Sequence, residues 1–162
     1  MKLVKQLLIG AAIFAAVSNA QAATYNLGTL SSDYTEFGSY SVAKGSFSDT
    51  INFSLAGTSD TDFGVGSIFV KVGKITRLDI TGLTLSLFKG TTDLGLSGTD
   101  FSATALGAGD YHLLVTGNAT GTLGGSYAGG INVSPVPEAD TYAMMLAGLG
   151  LMGFVARRRR SL

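Results

Sequence analysis

Between Gly45 and Leu55 the chain alternates: Phe47, Ile51, Phe53 and Leu55 hold one parity, and Ser48, Thr50, Asn52 and Ser54 hold the other. A period of two places the first set on one face of a strand and the second set on the opposite face. Leu83, Leu85 and Leu87 alternate with Thr84 and Ser86 in the same way. Strands of this kind bury a single face, so they are satisfied by packing one sheet against another. Val65 to Val72 and Ile75 to Ile80 are separated by Gly73-Lys74, which suits a hairpin turn. Tyr111 to Thr116 and Ser126 to Val133 each follow a glycine-rich link. With 23 glycines against 2 prolines, the composition fits short strands joined by tight turns. The expectation is an all-β fold: a single antiparallel β-sandwich of about eight strands, jelly-roll-like.

Both ends depart from this pattern. Lys2 and Lys5 precede the apolar run Leu7 to Val17, and Ala20-Gln21-Ala22 then offers the small-x-small pattern read by signal peptidase. Residues 1–22 are therefore expected to be a signal peptide forming an N-terminal helix, cleaved after Ala22, with signal peptidase and the Sec export machinery as partners. At the other end, Tyr142 to Ala156 is uninterrupted apolar or small sequence, followed at once by Arg157, Arg158, Arg159 and Arg160. A helix of 15 residues spans about 22 Å against a hydrocarbon core of about 30 Å, a marginal transmembrane helix. The four arginines are expected to act as a cytoplasmic stop. The folded part is then residues 23–135, with 136–162 as a separate C-terminal segment.

Charge and cysteine content exclude several function classes. Six of the eleven basic residues lie at the two ends, and from Ala23 to Val136 nine acids face five bases. A mildly acidic domain does not suit nucleic acid, whose phosphates need a basic surface. The absence of cysteine removes disulfides, thiol nucleophiles and thiolate metal sites.

Few residues point to chemistry. Asp49 shares the apolar parity of Phe47, Ile51 and Phe53, which aims a carboxylate at the core, and buried acids need partners. A cap on backbone N–H groups is the favoured role, with cation ligation as the alternative. Asp33, Asp60, Asp62, Asp79, Asp93, Asp100 and Asp110 are read as turn aspartates rather than calcium ligands. His112 is the only histidine, and Ser126 lies in a sequence that falls short of a nucleophile elbow because Ala128 stands where glycine is required. No catalytic residue, cofactor or metal is expected, and the protein is read as a non-enzyme. Tyr25, Tyr34, Tyr40 and Tyr127 are taken as exposed rings able to stack on sugars.

Three resemblances add to this reading. Val136-Pro137-Glu138, the short apolar helix and the arginine cluster at the extreme end resemble a PEP-CTERM sorting signal, with Ala139 at the third motif position in place of proline. The resemblance implies recognition by an exosortase, processing near Pro137-Glu138, transient holding at the inner membrane, and release to the surface or extracellular matrix of a Gram-negative bacterium. Phe47-x-Asp49-x-Ile51, followed by Phe53, resembles the FxDxF group of PEP-CTERM proteins. Separately, Ala108 to Gly117 with Gly124 to Tyr127 resembles the last strands of jelly-roll modules appended to secreted bacterial proteases. The function these readings imply is a structural or interaction role linked to exopolysaccharide or biofilm. The alternative is a surface-displayed carbohydrate- or ice-binding module.

Overall fold

The computed structural model describes residues 21–137 and 139–159. Residues 1–20 of the expected signal helix, Ala20 among them, lie outside the described residues, as do Glu138 and Arg160; its last two residues, Gln21 and Ala22, are not helical, because Gln21 pairs with Phe47 in a parallel bridge. Eleven strands precede one helix among the described residues: β1 Thr24–Leu30, β2 Tyr34–Val42, β3 Gly45–Leu55, β4 Ser59–Ser67, β5 Val70–Val72, β6 Ile75–Leu78, β7 Ile80–Lys89, β8 Thr92–Gly98, β9 Asp100–Leu106, β10 Gly109–Ala119, β11 Gly125–Pro135 and α1 Ala139–Arg159. The strands form a five-stranded sheet in the order β1-β3-β10-β7-β8, a four-stranded sheet in the order β2-β11-β4-β9, and the small β5–β6 hairpin across Gly73-Lys74.

Without β1 and the hairpin, the other eight strands taken in chain order fall as second-seventh-fourth-fifth in one sheet and first-eighth-third-sixth in the other. All of their pairings are antiparallel, which is the double Greek key of a jelly roll. The sandwich departs from the antiparallel expectation at β1, which pairs with β3 in parallel. A parallel neighbour needs a long crossover, and β2, running in the opposite sheet, supplies it. The β1–β3 register slips between Asn26 and Thr29, where Gly28 has φ 76°, a left-handed conformation that glycine adopts without a β-carbon clash.

The alternation read from β3 sets the core. Phe47, Ile51, Phe53 and Leu55 are all buried, and so is Asp49 among them. Leu85 and Leu87 from β7 and Tyr111, Leu113 and Val115 from β10 complete this inner face. The opposite sheet answers with Phe37, Phe63, Tyr127, Ile131 and Val133. Ring pairs join the two sheets: Phe47 stacks on Tyr127 at 5.5 Å, and Phe53 meets Phe63 at 5.9 Å. Each such side chain contributes roughly 1.5–3 kcal/mol of transfer free energy on burial.

Helix α1 corrects a second expectation. It forms over the anticipated stretch, but no helix among the described residues is long and apolar enough to cross a membrane. The reason lies in its composition: Ala143, Ala147, Gly148, Gly150, Gly153 and Ala156 dilute the apolar run, with Asp140 at one end and Arg157 and Arg158 at the other. Its large apolar side chains, among them Met144, Leu146, Leu151 and Phe154, are exposed.

Candidate functional site

The C-terminal segment begins where the sandwich ends. Ser134 and Pro135 continue β11 opposite Asp60 and Ser59 of β4. Proline is tolerated there because pairing with β2 stops at Asn132, so no ladder bond is missing on that side. The Val136 N–H donates to the Thr58 carbonyl at 2.9 Å, which ties the chain to the sandwich one residue past the strand. Pro137 follows, exposed and outside any regular element, and α1 starts at Ala139. Arg157 and Arg158 are exposed at the far end of that helix. Pro137 is therefore open to solvent between the end of a sheet and the start of a helix.

Of the FxDxF-like residues Phe47, Asp49, Ile51 and Phe53, the three apolar ones are core. Asp49, 1% exposed, is the polar exception. Its Oδ1 accepts from the Ala23 N–H at 2.8 Å, and its Oδ2 accepts from the Tyr127 hydroxyl at 2.6 Å. The capping role read from sequence is therefore present, at the entry to β1. The Asp49 partner Tyr127 departs from the expected exposure: it faces inward on β11 and is fully buried. Burial first, and the bond to Asp49 second, push its phenol far above the ordinary tyrosine range, so it stays a donor. Tyr25 and Tyr40 stack on each other at 3.7 Å, half-buried, and Tyr40 meets Tyr127 edge-on at 5.5 Å. Both phenols are also raised, by burial and then by the Asp49 charge.

Tyr34 is the one of the four tyrosines that is exposed as expected, at 61%. It opens a row across the outer face of the four-stranded sheet: Tyr34 of β2 lies opposite Asn132 of β11, which lies opposite Asp62 of β4, which lies opposite Ser102 of β9. Ser102 Oγ donates to Asp62 Oδ1 at 2.6 Å, and Asn132 Nδ2 reaches Oδ2 at 3.4 Å. The Tyr34 ring lies so close over Gly130 that a β-carbon there would collide with it. Gly64, Gly66 and Gly129 extend this floor into a shallow groove of about 410 Å³. The four strands of this sheet carry Glu36, Asp60, Asp62 and Asp100 and no lysine or arginine.

Three further aspartates hold local structure. Asp60 accepts from the N–H of Ala105, a non-glycine residue at φ 54°, Asp79 accepts from the Thr120 hydroxyl, and Asp93 accepts from the Gly95 N–H. Among the described residues, no group of three or more His, Asp or Glu is placed to hold a metal. His112 stacks on Phe88 at 4.9 Å on β10, while Ser126 lies in β11 of the other sheet.

The fold is similar to that of the pre-peptidase C-terminal domain of collagenase from Bacillus anthracis, at 19% identity and TM-score 0.45 over 70% of this chain and 98% of that one. It is also similar to PliG, a periplasmic inhibitor of g-type lysozyme from Aeromonas hydrophila, at 12% identity and TM-score 0.42 over 71% of this chain and 99% of that one. No curated protein matches the chain. A family model does match its end, over the stretch that starts at the last residue of β11 and runs through α1. The chain carries a PEP-CTERM protein-sorting motif at residues 135–160.

Proposed function

We propose that this is an exported, non-catalytic surface protein, read by an exosortase and released with its sandwich intact into an exopolysaccharide matrix or biofilm, where it has a structural or interaction role. The observation that carries the reading is the sorting motif beginning at the strand end, with Pro137 exposed just beyond it. Helix α1 is long enough at 21 residues but too rich in small residues for a permanent span, which suits an intermediate held only until cleavage. Its exposed Arg157 and Arg158 would keep that end on the cytoplasmic side. Mass spectrometry of the protein from strains with and without exosortase tests this. The expected result is a surface or released form ending near Pro137, and a longer membrane-associated form when the enzyme is absent. Intact peptides through Arg157 in the released form would refute it.

A second reading is favoured by one observation, the groove beside Tyr34. An exposed ring, a glycine floor and the Asn132–Asp62–Ser102 row together offer a stacking surface and hydrogen-bond partners for a sugar chain. A glycan array with Tyr34→Ala as control separates this carbohydrate-binding role from a purely structural one. Selective binding that Tyr34→Ala abolishes supports it, and no selective binding removes it.

A further inference from the structure

Asp49 is a buried carboxylate with two neutral hydrogen-bond partners, an amide and a phenol. A buried anion is costly without an opposite charge. One of those two partners is the atom that maturation changes. Hydrolysis of the Ala22–Ala23 bond adds the oxygen of one water to Ala22, which is left as a carboxylate, and both of its protons to the Ala23 nitrogen, which becomes an ammonium with a full positive charge. That nitrogen is already 2.8 Å from Asp49 Oδ1.

The surrounding strand gives it reason to stay there. The Ala23 carbonyl accepts from Thr50 N–H at 2.8 Å, and Thr24, Tyr25 and Asn26 pair in register with Thr50, Ile51 and Asn52. None of these bonds involves residues before Ala23. The bond to be cut lies on the accessible side, since Gln21 and Ala22 are exposed and Ala23 is half-buried. Before cleavage, Gln21 prolongs the pairing with neutral bonds: its N–H donates to Ser46 O at 3.2 Å, its carbonyl accepts from Ser48 N–H at 2.8 Å, and its Oε1 accepts from Ala43 N–H at 2.9 Å. Cleavage removes these and places a cation against the buried acid.

We infer that cleavage after Ala22 creates a half-buried ion pair between the α-ammonium of Ala23 and the buried Asp49, a latch that holds β1 on β3 in the mature protein alone. Tyr127 completes the site from the opposite sheet, so the latch ties the new N-terminus to both layers. The inference rests on the export half of the proposed function and needs nothing from sorting at the other end.

The test uses the full chain exported and processed in a Gram-negative host. The N-terminal peptide should begin at Ala23. An amine-specific reagent should label its α-amine about tenfold more slowly in the folded protein than in urea, as a group held in its charged form requires. Asp49→Asn should abolish that difference. Acetylating the amines should lower the urea midpoint of the unsubstituted protein more than that of Asp49→Asn, the lysines being common to both. If Asp49→Asn does not fold, the labelling ratio in the unsubstituted protein still decides. A mature chain starting elsewhere, or an α-amine labelled equally fast folded and unfolded, overturns the latch. The state of the C-terminus enters neither readout, so failure here is distinct from failure of the sorting reading.

Discussion

At the scale of single residues, Asp49 and Tyr127 are the polar pair on which the core depends. Their bond at 2.6 Å crosses from one sheet to the other, and Asp49 also holds the start of β1. Asp49→Ala strands two buried or half-buried donors, so urea denaturation should show a loss of ~1–3 kcal/mol. Tyr127→Phe removes only the hydroxyl and leaves Asp49 with the Ala23 bond, for a loss of ~1 kcal/mol. The phenol adds a pH signature. Its folded pKa is raised, so its contribution is fully present below the ordinary tyrosine value of about 10 and declines as pH rises above it. The midpoint of the unsubstituted protein should therefore fall in that alkaline range more steeply than that of Tyr127→Phe. Equal slopes would mean that the hydroxyl does not carry the linkage. Added calcium should leave all these midpoints unchanged, since Asp49 is satisfied by donors rather than by a cation ligand set.

At the scale of elements, alternation made β3 legible because its whole inner face is apolar apart from Asp49, and the β5–β6 turn was legible from Gly73-Lys74. Partners across space were not. Parallel pairing of β1 with β3 depends on β2 leaving for the other sheet, and no local pattern records that. Tyr127 was misplaced for a related reason: its neighbours Gly125, Gly129 and Gly130 carry no side chains to set a parity, and the register shifts between Tyr127 and Gly129. The groove escaped notice because Tyr34, Asn132, Asp62 and Ser102 come from four strands distant in sequence. Helix α1 was legible in place, though it runs 21 residues where 15 were expected, and it was overread as a span, because small residues count as apolar while adding little hydrophobic area. That point is testable. Gly148, Gly150 and Gly153 have nothing within 4 Å of a would-be β-carbon, so leucine fits at all three. The triple Gly→Leu variant should convert the helix into a lasting anchor, seen as membrane-bound protein that resists alkaline carbonate extraction even with exosortase present. Release equal to the unsubstituted protein would mean that hydropathy of α1 does not limit the lifetime of the intermediate.

At the scale of the whole molecule, the chain divides its labour along its length. The core is drawn from β2 to β4 and from β7 to β11, with Leu30 closing one end of β1, and among the described residues none of α1 belongs to it. The two sheets meet through Phe47–Tyr127 and Phe53–Phe63, contacts that need neither terminus. The last tie between the sandwich and the sorting segment is the Val136 N–H bond to Thr58, beyond which lies the exposed Pro137. If sorting releases a finished domain, that domain must already hold all its stabilising contacts upstream of the cut. Residues 23–135 alone should therefore fold, with a circular dichroism spectrum dominated by β structure. They should unfold in a single urea transition whose midpoint matches that of the signal-processed full chain. A helical spectrum, or a midpoint well below that of the full chain, would show that α1 supports the sandwich, and cleavage near Pro137 would then release an unstable product.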